Sequence, residues 1–182
     1  IDSFGGTVES TTFDLPDSII SDSVSFILSA TDYWGNTSFD TSEYFVLFDD
    51  ISPLVSISEP MGTSIISEYE PFIVRWDHSD NIELSEHIFE YASDGISFDT
   101  LLNTPYFTQT DSFDFQVEGV TNTAQIRLTV SDIAGNAATD LSEQFSVTDN
   151  TPPTINLTTP VAESIIGIGD DLAITWSDSD NV

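Results

Sequence analysis

The sequence predicts an all-β protein made of tandem two-sheet sandwiches, one every hundred residues. Three observations lead there: a long internal repeat, short runs in which apolar and polar residues alternate, and no stretch with a helical period. In the repeat, residues 131–153 read S-D-I-A-G-N-A-A-T-D-L-S-E-Q-F-S-V-T-D-N-T-P-P and residues 31–53 read T-D-Y-W-G-N-T-S-F-D-T-S-E-Y-F-V-L-F-D-D-I-S-P. Asp132, Gly135, Asn136, Asp140, Ser142, Glu143, Phe145, Asp149 and Pro153 thus recur at Asp32, Gly35, Asn36, Asp40, Ser42, Glu43, Phe45, Asp49 and Pro53. The same register carries Phe13-Asp14 to Phe113-Asp114, Ser64-Ile65-Ile66 to Ser164-Ile165-Ile166, and Trp76 with Ser79-Asp80-Asn81 to Trp176 with Ser179-Asp180-Asn181. No insertion or deletion is needed. Such a period exceeds the roughly 20–50 residues of a solenoid unit and suits a whole small domain.

Residues 1–48 match the last half of the repeat and 151–182 its first third, so 49–150 is the one domain expected to be complete. Both termini are expected to fall inside domains of a longer polypeptide. Within 49–150, strands are expected at 54–59, 72–77, 87–92, 97–102, 113–117, 124–131 and 144–148. Phe72, Val74 and Trp76 face one way and Ile73 and Arg75 the other; Ile126, Leu128 and Val130 likewise oppose Arg127 and Thr129. Asp94-Gly95 between two such runs signals a hairpin, because glycine tolerates positive φ. Pro53, Pro60 and Pro71 fall at strand entrances or exits, where a missing N–H breaks no ladder. Seven strands in about one hundred residues, joined by connections too short for crossovers, make an antiparallel two-sheet sandwich.

Composition narrows the partners. The 182 residues are 39% hydrophobic and include 13 Phe, enough for a packed core in each repeat and too many for an acidic disordered tail. Thirty-two acids face two arginines, Arg75 and Arg127, giving a formal net charge of -30. Phosphate neutralisation needs clustered Lys or Arg, so nucleic acid and anionic membrane surfaces are not expected partners. No apolar run approaches the roughly 20 residues of a membrane span, and the first residues, I-D-S-F-G-G, do not read as a signal peptide. So much like charge needs screening by salt or local neutralisation by divalent cations. There is no cysteine, so no disulfide contributes.

Several strings carry a family resemblance. They are I-x-W-x-x-S-D-N at 174–181, with Val74 replacing the Ile in the earlier copy, Y-x-S-D-G-x-S-F at 91–98, then D-x-x-G-N and a final D-N-T-P-P. With a Trp ending the second strand, the chain resembles the tandem immunoglobulin-like or fibronectin-type-III-like repeats of large secreted bacterial and archaeal surface proteins, including adhesins and surface-layer proteins. The resemblance covers the whole chain. It implies tandem seven-stranded immunoglobulin-like β-sandwiches and an extracellular, cell-surface location. Modules of this kind serve as stalks, spacers and ligand-bearing tips alike.

In that fold the entering linker, the loop after the second strand and the loop between the last two strands share one pole. Asp49 and Asp50 would meet Asp77, Asp80 and Asn81, together with Asp132 and Asn136, and the next junction would use Asp149, Asn150, Asp178, Asp180 and Asn181. Calcium takes about six to eight oxygens from carboxylates, amides and carbonyls, and such a pole supplies them. The competing reading is that these residues cap turns through side-chain bonds to nearby backbone, with Gly135 and Asn136 providing left-handed or bulge geometry. Asn36-Thr37-Ser38 and Asn156-Leu157-Thr158 satisfy the N-glycosylation sequon, a pattern that also arises by chance.

For catalysis the inventory is thin. His78 and His87 are the only imidazoles, expected as a solvated loop residue and a strand residue; there is no thiol and no glycine-rich loop before a helix. No enzymatic role is expected. Trp34 stands where the next copy has Ala134, as a contact for sugar or a neighbouring subunit or as packing against the adjacent domain. The expected function is a structural repeat of a stalk, surface layer or filament whose acidic junctions bind calcium, with neighbouring repeats, and homopolymeric assembly, as partners. The alternatives are an adhesion module for glycan or a protein receptor, or accessory domains of a secreted enzyme.

Overall fold

The computed structural model describes residues 10–105 and 112–181, and among these the chain is all strand and loop, without a helix. Residues 1–9 of the first expected domain lie outside that description. The early strands are β1 (Ser21–Val24), β2 (Ile27–Thr31), β3 (Thr37–Thr41) and β4 (Phe45–Leu47). The middle unit follows with β5 (Leu54–Glu59), β6 (Ile65–Ser67), β7 (Phe72–Ser79), β8 (Leu84–Ala92), β9 (Asp99–Pro105), β10 (Ser112–Phe115), β11 (Thr121–Asp132), β12 (Ala137–Leu141) and β13 (Phe145–Thr148). The last two are β14 (Thr154–Thr159) and β15 (Thr175–Ser179).

The middle unit folds as two sheets around one core. One sheet has the order β10-β7-β5; the other runs β6-β13-β11-β8-β9, with β12 also pairing β11. All pairs are antiparallel except β6 with β13. Alternation is the cause. Phe72, Val74 and Trp76 of β7 and Ala124, Ile126, Leu128 and Val130 of β11 are buried, while Ile73 and Arg75 between the first three stay exposed. Rings fill the gap between sheets: Trp76 meets Phe89 edge-on at 4.9 Å, and Phe72 lies 6.2 Å from Phe115 and 6.0 Å from Phe145. An aromatic pair so placed contributes about 0.5–1.5 kcal/mol beyond its buried area.

The middle unit has nine strands where seven were expected. Only Ile66 of the three-residue β6 is buried, too little for alternation to register, and the A-A-T-D-L of β12 is poor in the β-branched and aromatic residues that favour strands. The expected loop position of His78 is also corrected: β7 runs on to Ser79, pairing Leu54 with Ser79 and Val55 with His78.

The recurring D-x-S-E string acquires physical roles. Where β12 hands over to β13, the Ile126 N–H donates to Ser142 Oγ at 2.9 Å, while Ile126 O accepts from Ser142 N–H at 2.9 Å. Phe26 and Ser42 repeat both bonds. Asp140 Oδ2 accepts from Ile57 N–H at 2.7 Å, closing part of the edge of β5, and Glu143 Oε2 accepts from Gly62 N–H at 2.6 Å. A capped edge resists pairing with stray strands.

Residues 10–48 carry counterparts of β11 to β13, with β1 and β2 together standing where β11 does, and residues 151–181 those of β5 and β7. Here β1 pairs β4, β2 pairs β3 and β14 pairs β15, with their apolar residues largely open to solvent.

Candidate metal centre

Three elements of the middle unit converge at the pole facing residues 10–48. Asp49 lies in the linker after β4, Asp80 just beyond β7, and Asp132 closes β11. One carboxylate oxygen from each lies within 4.8 Å of the others. That is the separation available to ligands of one calcium ion, whose bonds run about 2.3–2.6 Å.

The local turn explains Asp132. Its Oδ1 accepts from the Gly135 N–H at 2.6 Å and the Asn136 N–H at 2.9 Å, and its Oδ2 accepts from Asn136 Nδ2–H at 2.8 Å. Gly135 has φ +95°, a conformation that suits glycine. Burial pushes the Asp132 carboxyl up, but the side-chain amide of Asn136 and the backbone N–H groups of Asn136, Gly135 and Ala134 outweigh it and hold it below the ordinary carboxylate value. It is a buried carboxylate held ionised.

Two asparagines bring Asp49 to it. Asn136 Nδ2 reaches Asp49 O and Oδ2, both at 3.2 Å, and Asn81 Nδ2 donates to Asp49 Oδ1 at 2.8 Å. Asn81 Nδ2 also donates to the backbone oxygen of Asp17 at 2.5 Å, a residue of the preceding unit. By contrast both Asp80 oxygens and Asn81 Oδ1 are buried atoms without a hydrogen-bond partner. Three carboxylates this close repel by about 3 kcal/mol per pair at an effective dielectric of about 20. Neutral amide bonds contribute about 1 kcal/mol each and do not offset that. Both arginines are engaged elsewhere, Arg75 with Glu59 and Arg127 with Glu90, so a bound cation suits the donor set.

The other expected ligands separate. Asp50 is exposed and outside the cluster, and Asp77 is exposed on β7, paired with Ser56. At the following junction Asn181 Nδ2 reaches Asp149 Oδ1 at 3.3 Å, repeating the Asn81 contact, whereas Asn150 donates to Ser67 Oγ at 2.6 Å and Asp178 is exposed on β15 opposite Ile155. Asp180 is likewise exposed. Of the sequon residues, Asn36 donates to Asp32 Oδ2 at 2.7 Å inside its turn, and Asn156 is exposed on β14 opposite Ser177. Trp34 is 83% exposed beside Tyr33. The contact through the Asp17 carbonyl had no signal in the sequence, since a backbone oxygen leaves none.

The fold is all-β among the described residues, and in an acidic chain it gathers three carboxylates that could hold a cation. Compared with known proteins, the chain matches no family model and no curated protein.

Proposed function

We propose that this chain is a structural repeat segment of an extracellular surface protein, a stalk, surface layer or filament, built of immunoglobulin-like, fibronectin-type-III-like units. Calcium at the acidic junctions stiffens the array. The observation that carries this reading is the meeting of Asp49, Asp80 and Asp132 where one unit joins the next. Function is then mechanical: each unit adds length, the ion sets the angle to its neighbour, and no enzymatic step is involved. The partners are neighbouring repeats of the same protein.

The test is a calcium titration of the purified chain, followed by calorimetry and small-angle X-ray scattering with and without chelator. Calcium is expected to raise the melting temperature and narrow the distribution of overall dimensions; curves that superimpose in both conditions remove the reading. A second reading, an adhesion module for glycan or a protein receptor, is favoured by Tyr33 and Trp34, 93% and 83% exposed with rings edge-to-face at 5.3 Å. Loss of glycan-array binding in Trp34→Ala would support it.

A further inference from the structure

Two segments of the chain display apolar faces, and the middle unit shows what fits each. In residues 10–48 three rings stack in a row, Phe13 on Phe26 at 5.9 Å and Phe26 on Phe45 at 5.3 Å, with Phe13 and Phe26 about half exposed. Ile126 and Phe145, the repeat partners of Phe26 and Phe45, are buried. Their cover comes from β7: Phe72 lies 6.0 Å from Phe145, and Val74 and Trp76 complete the same buried cluster. Residues 151–181 present the counterparts of that cover, Leu172, Ile174 and Trp176, each about half exposed. The backbone edges match as well. β13 takes β6 in parallel, with Ser146 opposite Ile65, whereas β4 pairs only β1 among the described residues. Residues 165–167 repeat the Ile65-Ile66 pair yet form no strand, since a three-residue strand without a partner has no ladder to hold it. Two carboxylate clips cross the same boundary in the middle unit, from Asp140 to the Ile57 N–H and from Glu143 to the Gly62 N–H. Asp40 and Glu43 stand ready to repeat them on Leu157 and Ala162.

We propose that residues 151–181 of one copy dock on residues 10–48 of a second copy, head to tail, with 165–167 adding a strand to the free edge of β4 and Trp176 closing over the phenylalanine row. The occupant is a second copy because one chain cannot bring its own faces together. Asp17 O meets Asn81 at the Asp132 end of β11, while β13 leads into residues 151–181 from the Thr121 end, where Thr121 pairs Val147. The length of β11 sets those ends roughly 35 Å apart. The claim rests on the structural-repeat reading and not on the cation. Neither segment carries a counterpart of β8, and a net charge of -30 repels like chains, so the association is weak, on the order of 10–100 μM. Its driving force is apolar burial, so screening strengthens it.

The experiment is sedimentation velocity on the full chain over a concentration series, in chelator so that no metal bridges chains. The parent should form open-ended oligomers, with the association constant rising about tenfold between 0.1 M and 1 M salt as the screening length falls from about 10 Å to about 3 Å. Phe26→Asp and Trp176→Asp should each stay monomeric, and their equimolar mixture should give a one-to-one dimer, because each supplies the face that the other has lost. A parent that stays monomeric at every concentration in 1 M salt overturns the proposal and leaves the calcium titration to judge the cation reading separately. Self-association of Trp176→Asp would set like faces together and equally overturns it. Should an aspartate variant fold poorly, oxidative cross-linking decides. Val46→Cys and Ile165→Cys occupy exposed positions that would take the register of Ser146 opposite Ile65, in a chain with no other cysteine. Mixed, they should give a disulfide-linked dimer that neither gives alone; equal yields in mixed and single samples overturn the docking.

Discussion

The turns Asp32–Asn36 and Asp132–Asn136 have the same internal bonds and opposite surroundings. In both, the acid's N–H donates to the Asn carbonyl, its Oδ1 receives the Asn backbone N–H, and its Oδ2 receives the Asn side-chain amide, at 2.7 Å in one and 2.8 Å in the other. Yet Asp32 is exposed, whereas Asp132 is 2% exposed and within reach of Asp49 and Asp80. The motif by itself therefore makes a turn. A candidate ion site arises only where the linker and the loop after β7 close over it. Both acidic loops are thus turns, and only the buried copy gathers two further acids around its turn.

The largest expected effect breaks the comparison at its core. Trp76 is 1% exposed and its repeat partner Trp176 57%. Trp76→Ala should cost about 3–5 kcal/mol by leaving a cavity against Phe89, and Trp176→Ala less than about 0.5 kcal/mol. Urea unfolding followed by circular dichroism measures both. Similar losses would mean that Trp176 is covered in solution.

Next comes acid. His87 is buried on β8, its Nε2 3.3 Å from His78 Nδ1, which also accepts the indole N–H of Trp76 at 3.1 Å. Burial, and secondly charge on His78, pull the His87 pKa down to about 4 from 6.5. The neutral form is the one the fold keeps. Its stability is therefore intact above pH 6.5 and falls as pH drops toward 4, by up to about 3 kcal/mol. In residues 151–181 the position of His78 is taken by Asp178. Melting temperature against pH should lose most of its slope in that window in His87→Leu; an undiminished slope would assign the acid sensitivity elsewhere.

The two turns themselves are tested third. At about 100-fold excess over its dissociation constant, calcium should stabilise the middle unit by about 2.7 kcal/mol. Asp132→Asn should abolish that increment, while Asp32→Asn, in the exposed copy, should leave it within about 0.5 kcal/mol. Equal effects in calorimetry would sink the distinction between turn and ligand.

The fold was legible where burial imposes alternation. The expected strand at 54–59 is β5 itself, and β7, β8 and β11 each extend an expected strand by a few residues, because period-2 burial shows directly in sequence. β6 and β12 were hidden: one is too short, and the other is held by register with β11 rather than by its own apolar residues. In the candidate site, Asp49, Asp80 and Asp132 were legible from repetition and pole geometry, but Asp50 and Asp77 were not separable from them. In a strand end a shift of one residue turns a side chain to the other face, and composition does not record which. Burial of His87 was equally silent, since β8 carries polar and apolar residues on both sides of it.

The smallest expected effect sharpens the comparison of exposed with half-covered contacts using the two cations. Arg127 makes a two-pronged pair with Glu90, at 2.5 Å and 2.8 Å, and lies 4.3 Å over the Phe98 ring. Arg75 makes one contact with Glu59 at 3.2 Å, with nearly half of both side chains in solvent. A forked, partly covered pair stacked on a ring outweighs an open single contact, whose entropy and screening cancel most of its attraction. Arg127→Met should therefore cost about 1 kcal/mol and Arg75→Met at most about 0.5 kcal/mol. In 1 M salt, where the screening length falls to about 3 Å, the Arg75 cost should vanish while part of the Arg127 cost persists through Phe98. If salt erases both, the Phe98 contact contributes nothing, and position 127 is only a charge on an acidic face.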